Sequence, residues 1–306
     1  MTVEHLKNSI LDRVTAVEQT RFSRDAWSIV RCRETGFVFL ANPPDYSQLE
    51  TEYAWEKTTD VERRRRKLDE PAVARLSLFA KKAKKVIFPN RNKIASLAFA
   101  ELQAKDQSEP LRILDIGCGC GNLMVEIYNR CVEVGRSVKP IGIEVSRELA
   151  PVSQENVAPL GGKVVCSNAL DAANDLEPDT IHLAVMSSFL EHECQPLRLL
   201  ARLHSILTQD GSIVLKVPNY ACWNRYLRGS KWCGFRYPDH VNYFTPTTLR
   251  RLAAEAGFTV SRQNLFDKFP LSDNMYAVLT KSAERSHLPK PSAGPVSDGK
   301  SSAQAR

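Results

Sequence analysis

The sequence predicts an α/β fold in which a mostly parallel sheet carries helices on both faces and ends in an antiparallel hairpin. Three observations predict it. Strand and helix signals alternate from Leu111 onward, the connections between them are short, and the last helix is followed by two strands with no helix between them.

In chain order, apolar runs place strands at 111–116, 139–144, 163–166, 181–187 and 212–217. Helical periodicity places helices at 121–133, 147–157 and 195–207. Thr245-Pro246 reads as an N-cap with proline at the first helical position. Leu249, Leu252, Ala253 and Ala256 supply the buried face of that helix, and Gly257 ends it. The strands Phe258–Leu265 and Met275–Thr280 complete the hairpin.

Ahead of this domain, residues 1–60 read as an N-terminal cap. Trp27-Ser28-Ile29-Val30 and Phe37-Val38-Phe39-Leu40 suggest two short strands around Gly36, and Asn42-Pro43-Pro44-Asp45 stops them. Residues 61–109 read as a basic helical segment. Ala72, Leu76, Phe79, Ala83 and Val86 form an apolar stripe beside Lys81, Lys82, Lys84 and Lys85, and a further helix covers Lys93 to Gln103. The α/β domain spans 110–281, with an aromatic insertion at 220–245. Residues 282–306, with no aromatic residue and few apolar ones, read as a disordered tail.

A chain of 306 residues with 43% hydrophobic and 25% charged residues can bury a full core, which excludes a wholly disordered or fibrous protein. No run of 18 apolar residues exists, so no membrane span is expected. The N-terminus lacks an export signal, so a cytoplasmic location is expected. The net charge of +7 sits in one place: between Glu62 and Phe88 there are ten Lys or Arg against three Asp or Glu. The eight cysteines read mostly as buried thiols. Cys118 and Cys120 are too closely spaced for a common zinc site, and no metal is expected.

Chemistry concentrates where the first strand of the domain runs into glycines. Leu111 to Gly121 passes from a buried strand through Asp115, Gly117, Cys118, Gly119 and Gly121 into a helix. Glycines allow positive φ and close backbone approach, and the helix start offers N–H groups to a polar ligand. The next strand ends at Glu144, which is placed either to hold two ribose hydroxyls or to cap the following helix.

With these residues, 111 to about 280 resembles a class I S-adenosylmethionine-dependent methyltransferase, Asp115-Ile116-Gly117-Cys118-Gly119-Cys120-Gly121 matching that family's first motif. The resemblance implies a Rossmann-like seven-stranded sheet and S-adenosyl-L-methionine as cofactor. It also implies a turn around the amino-acid part of the cofactor, with Asp115 beside the ammonium or ordering the turn, and Glu144 on the ribose. Asn168-Ala169 stands where the family commonly has an acid followed by alanine, so Asn168 either contacts adenine or forms a turn.

The resemblance extends to quinone-precursor, natural-product and glycan methyltransferases through Ser187 to His192 and through His240-x-x-Tyr-Phe-Thr-Pro. It implies that Ser187 lies beside the transferable methyl. His192 and His240 are candidate bases, and each could instead only brace its loop. His182, at the opposite strand end, reads as structural. The aromatic insertion reads as a lid or acceptor-pocket wall, or else as a local core.

Cys32 and Gly36 match part of a Cys-x-x-Cys-Gly pattern that precedes the catalytic domain in a related bacterial group. Thr35 replaces the second cysteine, implying a degenerate, metal-free zinc-ribbon-like region. The expected activity is O-methylation of a small-molecule acceptor. Two rival readings stand beside it: an RNA methyltransferase using the basic residues 62–88, and a non-enzymatic regulator that retains the cofactor site.

Overall fold

The computed structural model describes residues 4–45, 48, 64, 65, 68, 92–106 and 109–283. The apolar helix expected between 71 and 87 and the tail from 284 onward lie outside the described residues.

The first four strands, β1 (Glu4–Asn8), β2 (Arg13–Gln19), β3 (Ile29–Cys32) and β4 (Val38–Leu40), pair antiparallel in sequence order. The sequence signals gave β3 and β4 but not β1 and β2, whose Glu, Lys and Arg content hides the alternation. The fifth strand of this sheet comes from far along the chain: β10 (Asn242–Tyr243) pairs with β4 through Asn242 opposite Phe39 and Tyr243 opposite Val38.

The second sheet has seven strands in the order β11-β12-β9-β8-β5-β6-β7. They are β5 (Leu111–Ile116), β6 (Val138–Glu144), β7 (Lys163–Cys166), β8 (Ile181–Ser187), β9 (Leu207–Pro218), β11 (Phe258–Arg262) and β12 (Asn274–Lys281). The five strands from β5 to β9 are parallel, and β12 joins β9 antiparallel with β11 outside it. Because β6 and β8 flank β5 on opposite sides, strand order reverses at β5. Ligands in open parallel sheets gather in such a crevice, beyond the carboxyl ends of the strands.

The helices are α1 (Lys93–Gln103), α2 (Asn122–Glu133), α3 (Leu149–Val157), α4 (Ala169–Asn174), α5 (Pro196–Ile206), α6 (Trp223–Arg228) and α7 (Pro246–Glu255). Side chains on a strand alternate between faces, and here they feed two cores. Leu111, Ile113, Leu183, Val185 and Val214 pack with α1 and α2 on one face. Leu114, Ile116, Ala184, Met186, Ile213 and Leu215 pack with α4, α5 and α7 on the other, joined there by Val17, Val30, Phe37 and Phe39 of the N-terminal sheet. The expected capping of α7 is present: Thr245 accepts from the Thr248 N–H, and the Thr248 hydroxyl accepts from the Thr245 N–H.

The aromatic insertion departs from a pocket wall. Tyr220, Trp232, Phe235 and Tyr243 are buried against Phe22, Ile29, Val38 and Leu40. The N-terminal sheet is therefore a layer between the main core and an aromatic core. Phe235 and Tyr243 lie 5.3 Å apart at a 54° tilt, and Trp232 meets Phe235 edge-on at 5.4 Å, geometries in which ring quadrupoles attract. Trp223 and Tyr226 on α6 are the exposed exceptions.

Candidate functional site

Strand β5 delivers Asp115 into a fully buried position at the crevice, 1% exposed. Neither of its carboxylate oxygens has a hydrogen-bond partner. Burial first, and then the nearby charge of Glu144, raises its pKa from the usual carboxylate range to about 7. A buried carboxylate in this state is destabilising unless a cation or donor reaches it.

The glycine turn wraps this position. Gly117 has φ +70°, and a Cβ there would stand 2.6 Å from the Phe189 ring, so both backbone and space demand glycine. Gly119 has φ +56° and faces open space within 4 Å of its missing Cβ. Helix α2 begins with Gly121 as its N-cap, with no side chain closing its first N–H groups. The Cys118 thiol lies 3.2 Å from the Ser153 hydroxyl, and burial pushes its pKa up to about 12, which keeps it out of nucleophilic chemistry.

Glu144, at the end of β6, accepts from the Gly119 N–H at 2.7 Å and from the Ser146 N–H at 2.9 Å. One carboxylate thus ties the glycine turn to the start of the next connection. Asn168 is the N-cap of α4: its side-chain oxygen accepts from the Asp171 N–H at 2.9 Å, and its amide donates to the Asp171 carboxylate. Ala169, next to it, is the first residue of α4 and is buried.

On the other side of β5, β8 ends at Ser187. Ser188 then takes φ +59°, a conformation disfavoured for serine, and donates its N–H to the Lys216 carbonyl. This bend carries Phe189 over Gly117 and leads to Glu191 and His192. His182, at the start of β8, accepts the Arg112 N–H at 3.1 Å, a structural contact far from this end.

His192 and His240, distant in sequence, meet edge-to-face with ring centroids 4.7 Å apart. The Nδ1 of His192 lies 2.8 Å from the Asp239 carbonyl, and that of His240 lies 2.8 Å from the Gly234 carbonyl. A carbonyl only accepts, so both Nδ1 atoms carry the proton. Burial lowers the His192 pKa, and burial raises that of Glu191 to about 8. Glu191 Oε2 is buried without a hydrogen-bond partner.

Two links in this arrangement had no sequence signal. Phe189 in contact with Gly117 joins the β8 loop to the glycine turn. Asn242 joins the N-terminal sheet to the same loop: its amide donates to the carbonyls of Leu190 at 3.1 Å and Glu193 at 2.6 Å, and its oxygen accepts from Ser9 at 3.1 Å. The Val241 and Asn242 N–H groups also both reach the Glu191 carbonyl. A separate cleft of about 340 Å³, lined by Lys7, Asp12, Ala41, Cys194 and Arg198 among others, includes neither Asp115 nor Glu144.

Comparison with known proteins supplies the family. A family model described as a methyltransferase domain matches residues 62–263. Among curated protein sequences none matches this chain. Similar solved structures include magnesium protoporphyrin IX methyltransferase from Synechocystis, with bound S-adenosylhomocysteine, at 14% identity over 61% of this chain and 82% of that one, TM-score 0.46. A geranyl diphosphate methyltransferase in complex with its diphosphate and sinefungin gives 18% identity over 60% and 75%, TM-score 0.47. A TehB-like methyltransferase from Corynebacterium glutamicum gives 17% over 68% and 99%, TM-score 0.43. Among the described residues, no helix is long and apolar enough to cross a membrane. With the family match covering most of the chain and the seven-stranded sheet folded around the glycine turn, this protein belongs to the class I methyltransferase-domain family, whose cofactor is S-adenosylmethionine.

Proposed function

We propose that this methyltransferase transfers the methyl group of S-adenosylmethionine to an oxygen of a small-molecule acceptor of natural-product, glycan or quinone-like type. The observation that carries the donor half is Asp115, a buried carboxylate with both oxygens unpartnered beside the glycine turn. It fits the cofactor's ammonium, which supplies the missing donors and the positive charge. Gly117, Cys118, Gly119 and Gly121 shape the turn around the methionyl part, and Glu144, at the carboxyl end of β6, takes the ribose hydroxyls. Asn168 and Ala169 border the adenine, Asn168 through the second lone pair of its capping oxygen. Ser187 lies on the methyl side.

When bound, S-adenosylmethionine supplies an electrophilic methyl on a sulfonium centre, so the protein's work is alignment and exclusion of water. Phe189 and the buried Glu191–His192 loop cover the crevice. His192 and His240, with Nδ1 protonated, present Nε2 as the basic nitrogen toward an acceptor hydroxyl. The N-terminal sheet, read as a metal-free cap, braces that loop through Asn242 and shapes the acceptor side.

The test is incubation with methyl-labelled cofactor and either cell metabolites or cell RNA, separated before counting. Label in a metabolite fraction, lost in His192→Ala and His240→Ala, supports the proposal. Label confined to RNA overturns the acceptor class and assigns the basic residues 62–88 to phosphate contacts. Tight cofactor binding with no label in either fraction supports a regulator instead.

A further inference from the structure

Glu191, His192 and His240 form a cluster for which proton-transfer chemistry needs only one member. One ligand atom from each lies within 4.8 Å of the others. Among the described residues this is the one group of three His, Cys, Asp or Glu that comes together in this way. We infer that Glu191, His192 and His240 form a binding site for a divalent transition-metal cation, with open positions that take the acceptor's oxygen.

Three features carry the inference. The first is the donor set. Two imidazoles and one carboxylate are the ligands of catalytic zinc sites and of the facial triads that hold ferrous iron, and both leave coordination positions open to water or substrate. The second is the orientation of the rings. Metal-ligating histidines commonly donate their other N–H to a backbone carbonyl or carboxylate, which fixes the tautomer and aims the lone pair at the ion. Both histidines do so here, to the Asp239 and Gly234 carbonyls, each at 2.8 Å, so each Nε2 is the lone-pair nitrogen. The Asp239 carboxylate, 3.7 Å from His192 Nδ1 and 2.6 Å from Arg236, stands behind the same ring.

The third feature is Glu191, which is 1% exposed and whose Oε2 is buried with no hydrogen-bond partner. Lys216 and Arg236 supply positive charge near this carboxylate, but Oε2 has no hydrogen-bond partner, so one oxygen beside two oriented imidazoles is left able to ligate an ion. Bonds of about 2.1 Å set an edge of roughly 3.4 Å between ligand atoms, so the three side chains must draw together from their present separation of up to 4.8 Å when an ion binds. The backbone is held by the Val241 and Asn242 N–H bonds to the Glu191 carbonyl.

The role assigned to the cation rests on the acceptor reading above, with one change: in the ion-bound protein the two Nε2 lone pairs are ligands and not bases, so an acceptor hydroxyl or phenol that ligates the ion beside the methyl-donor crevice becomes easier to deprotonate and releases its proton to water. Ion binding itself does not depend on that reading. The experiment separates the two by titrating chelator-stripped full-length protein with Zn²⁺ by calorimetry and with Co²⁺ by visible absorption, in the absence of any acceptor.

The expected result is about one ion per chain, with Co²⁺ giving ligand-field bands. Affinity should fall at least about tenfold in His192→Ala, His240→Ala and Glu191→Gln, while cofactor affinity stays within about threefold. Should a histidine variant fail to fold, as circular dichroism would show, His192→Gln and His240→Gln replace it. No stoichiometric binding by the wild type, or binding unchanged in all three variants, overturns the site. Ion binding as expected with no methyl transfer to any metabolite leaves the site standing and overturns only the acceptor role.

Discussion

Asp115 is in effect half of an interaction whose other half is the ligand. Its pKa, raised to about 7 by burial and by Glu144, means that the folded protein without ligand holds a proton that the unfolded chain releases near pH 4. Stability of the ligand-free protein therefore falls as pH rises from about 4 to 7, and levels off above. Asp115→Asn removes the penalty. Its melting temperature should exceed that of the wild type by roughly 2–8 °C at pH 8, equivalent to about 1–3 kcal/mol, with a smaller gain at pH 5. Equal shifts at both pH values would contradict the account. Cofactor affinity should rise with pH between about 5.5 and 7, where ligand binding must displace that proton, and isothermal titration across this range measures it.

Single residues also show what sequence reasoning can reach. Asp115, the glycines and Glu144 were legible because strand, turn and acidic strand end follow one another within a short stretch. Asn168 was ambiguous because a polar side chain ending a strand can serve a ligand or a helix, and the structure shows it capping α4. The meeting of His192 with His240 was illegible. Each was a candidate alone, but nothing local announces a contact between residues so far apart in the chain.

At the scale of elements, the turn between β5 and α2 depends on the β8 loop because Phe189 packs where a Gly117 Cβ would stand. Gly117→Ala must accommodate both a left-handed φ and that ring, so its cofactor affinity should fall at least about tenfold, equivalent to about 1.4 kcal/mol. Unchanged affinity in a calorimetric titration would show that the turn does not bear on the ligand. The strands from β5 to β9 were legible because buried parallel strands are continuous apolar runs, whereas α4, with six residues, is too short to show helical periodicity and was missed. Short strands with polar faces, β1 and β2, were not, and neither was the two-residue β10, which exists only through its pairing with β4.

In the whole molecule, the N-terminal sheet is joined to the methyltransferase domain by a shared core and by Asn242. Aromatic density in residues 220–245 was visible in sequence, but its destination was not, since packing partners in residues 22–40 are distant in the chain. Asn242→Ala leaves the Leu190 and Glu193 carbonyls without that amide donor and loosens the loop bearing Glu191 and His192. Turnover should drop, and stability should fall by at least about 1 kcal/mol, while cofactor affinity stays within about threefold. Denaturant unfolding and single-turnover assays measure these separately, and a matching loss of cofactor affinity would mean that cap and donor crevice are not independent.

The central claim, that the crevice of Asp115, the glycine turn and Glu144 receives S-adenosylmethionine, is tested most directly by calorimetric titration of the cofactor into wild type, Asp115→Asn and Glu144→Gln at pH 7.5. The account predicts one site per chain, weakened by about 10- to 100-fold in each variant, since a hydrogen bond to a charged group contributes about 1.5–3 kcal/mol. Binding of equal strength in all three proteins would contradict it.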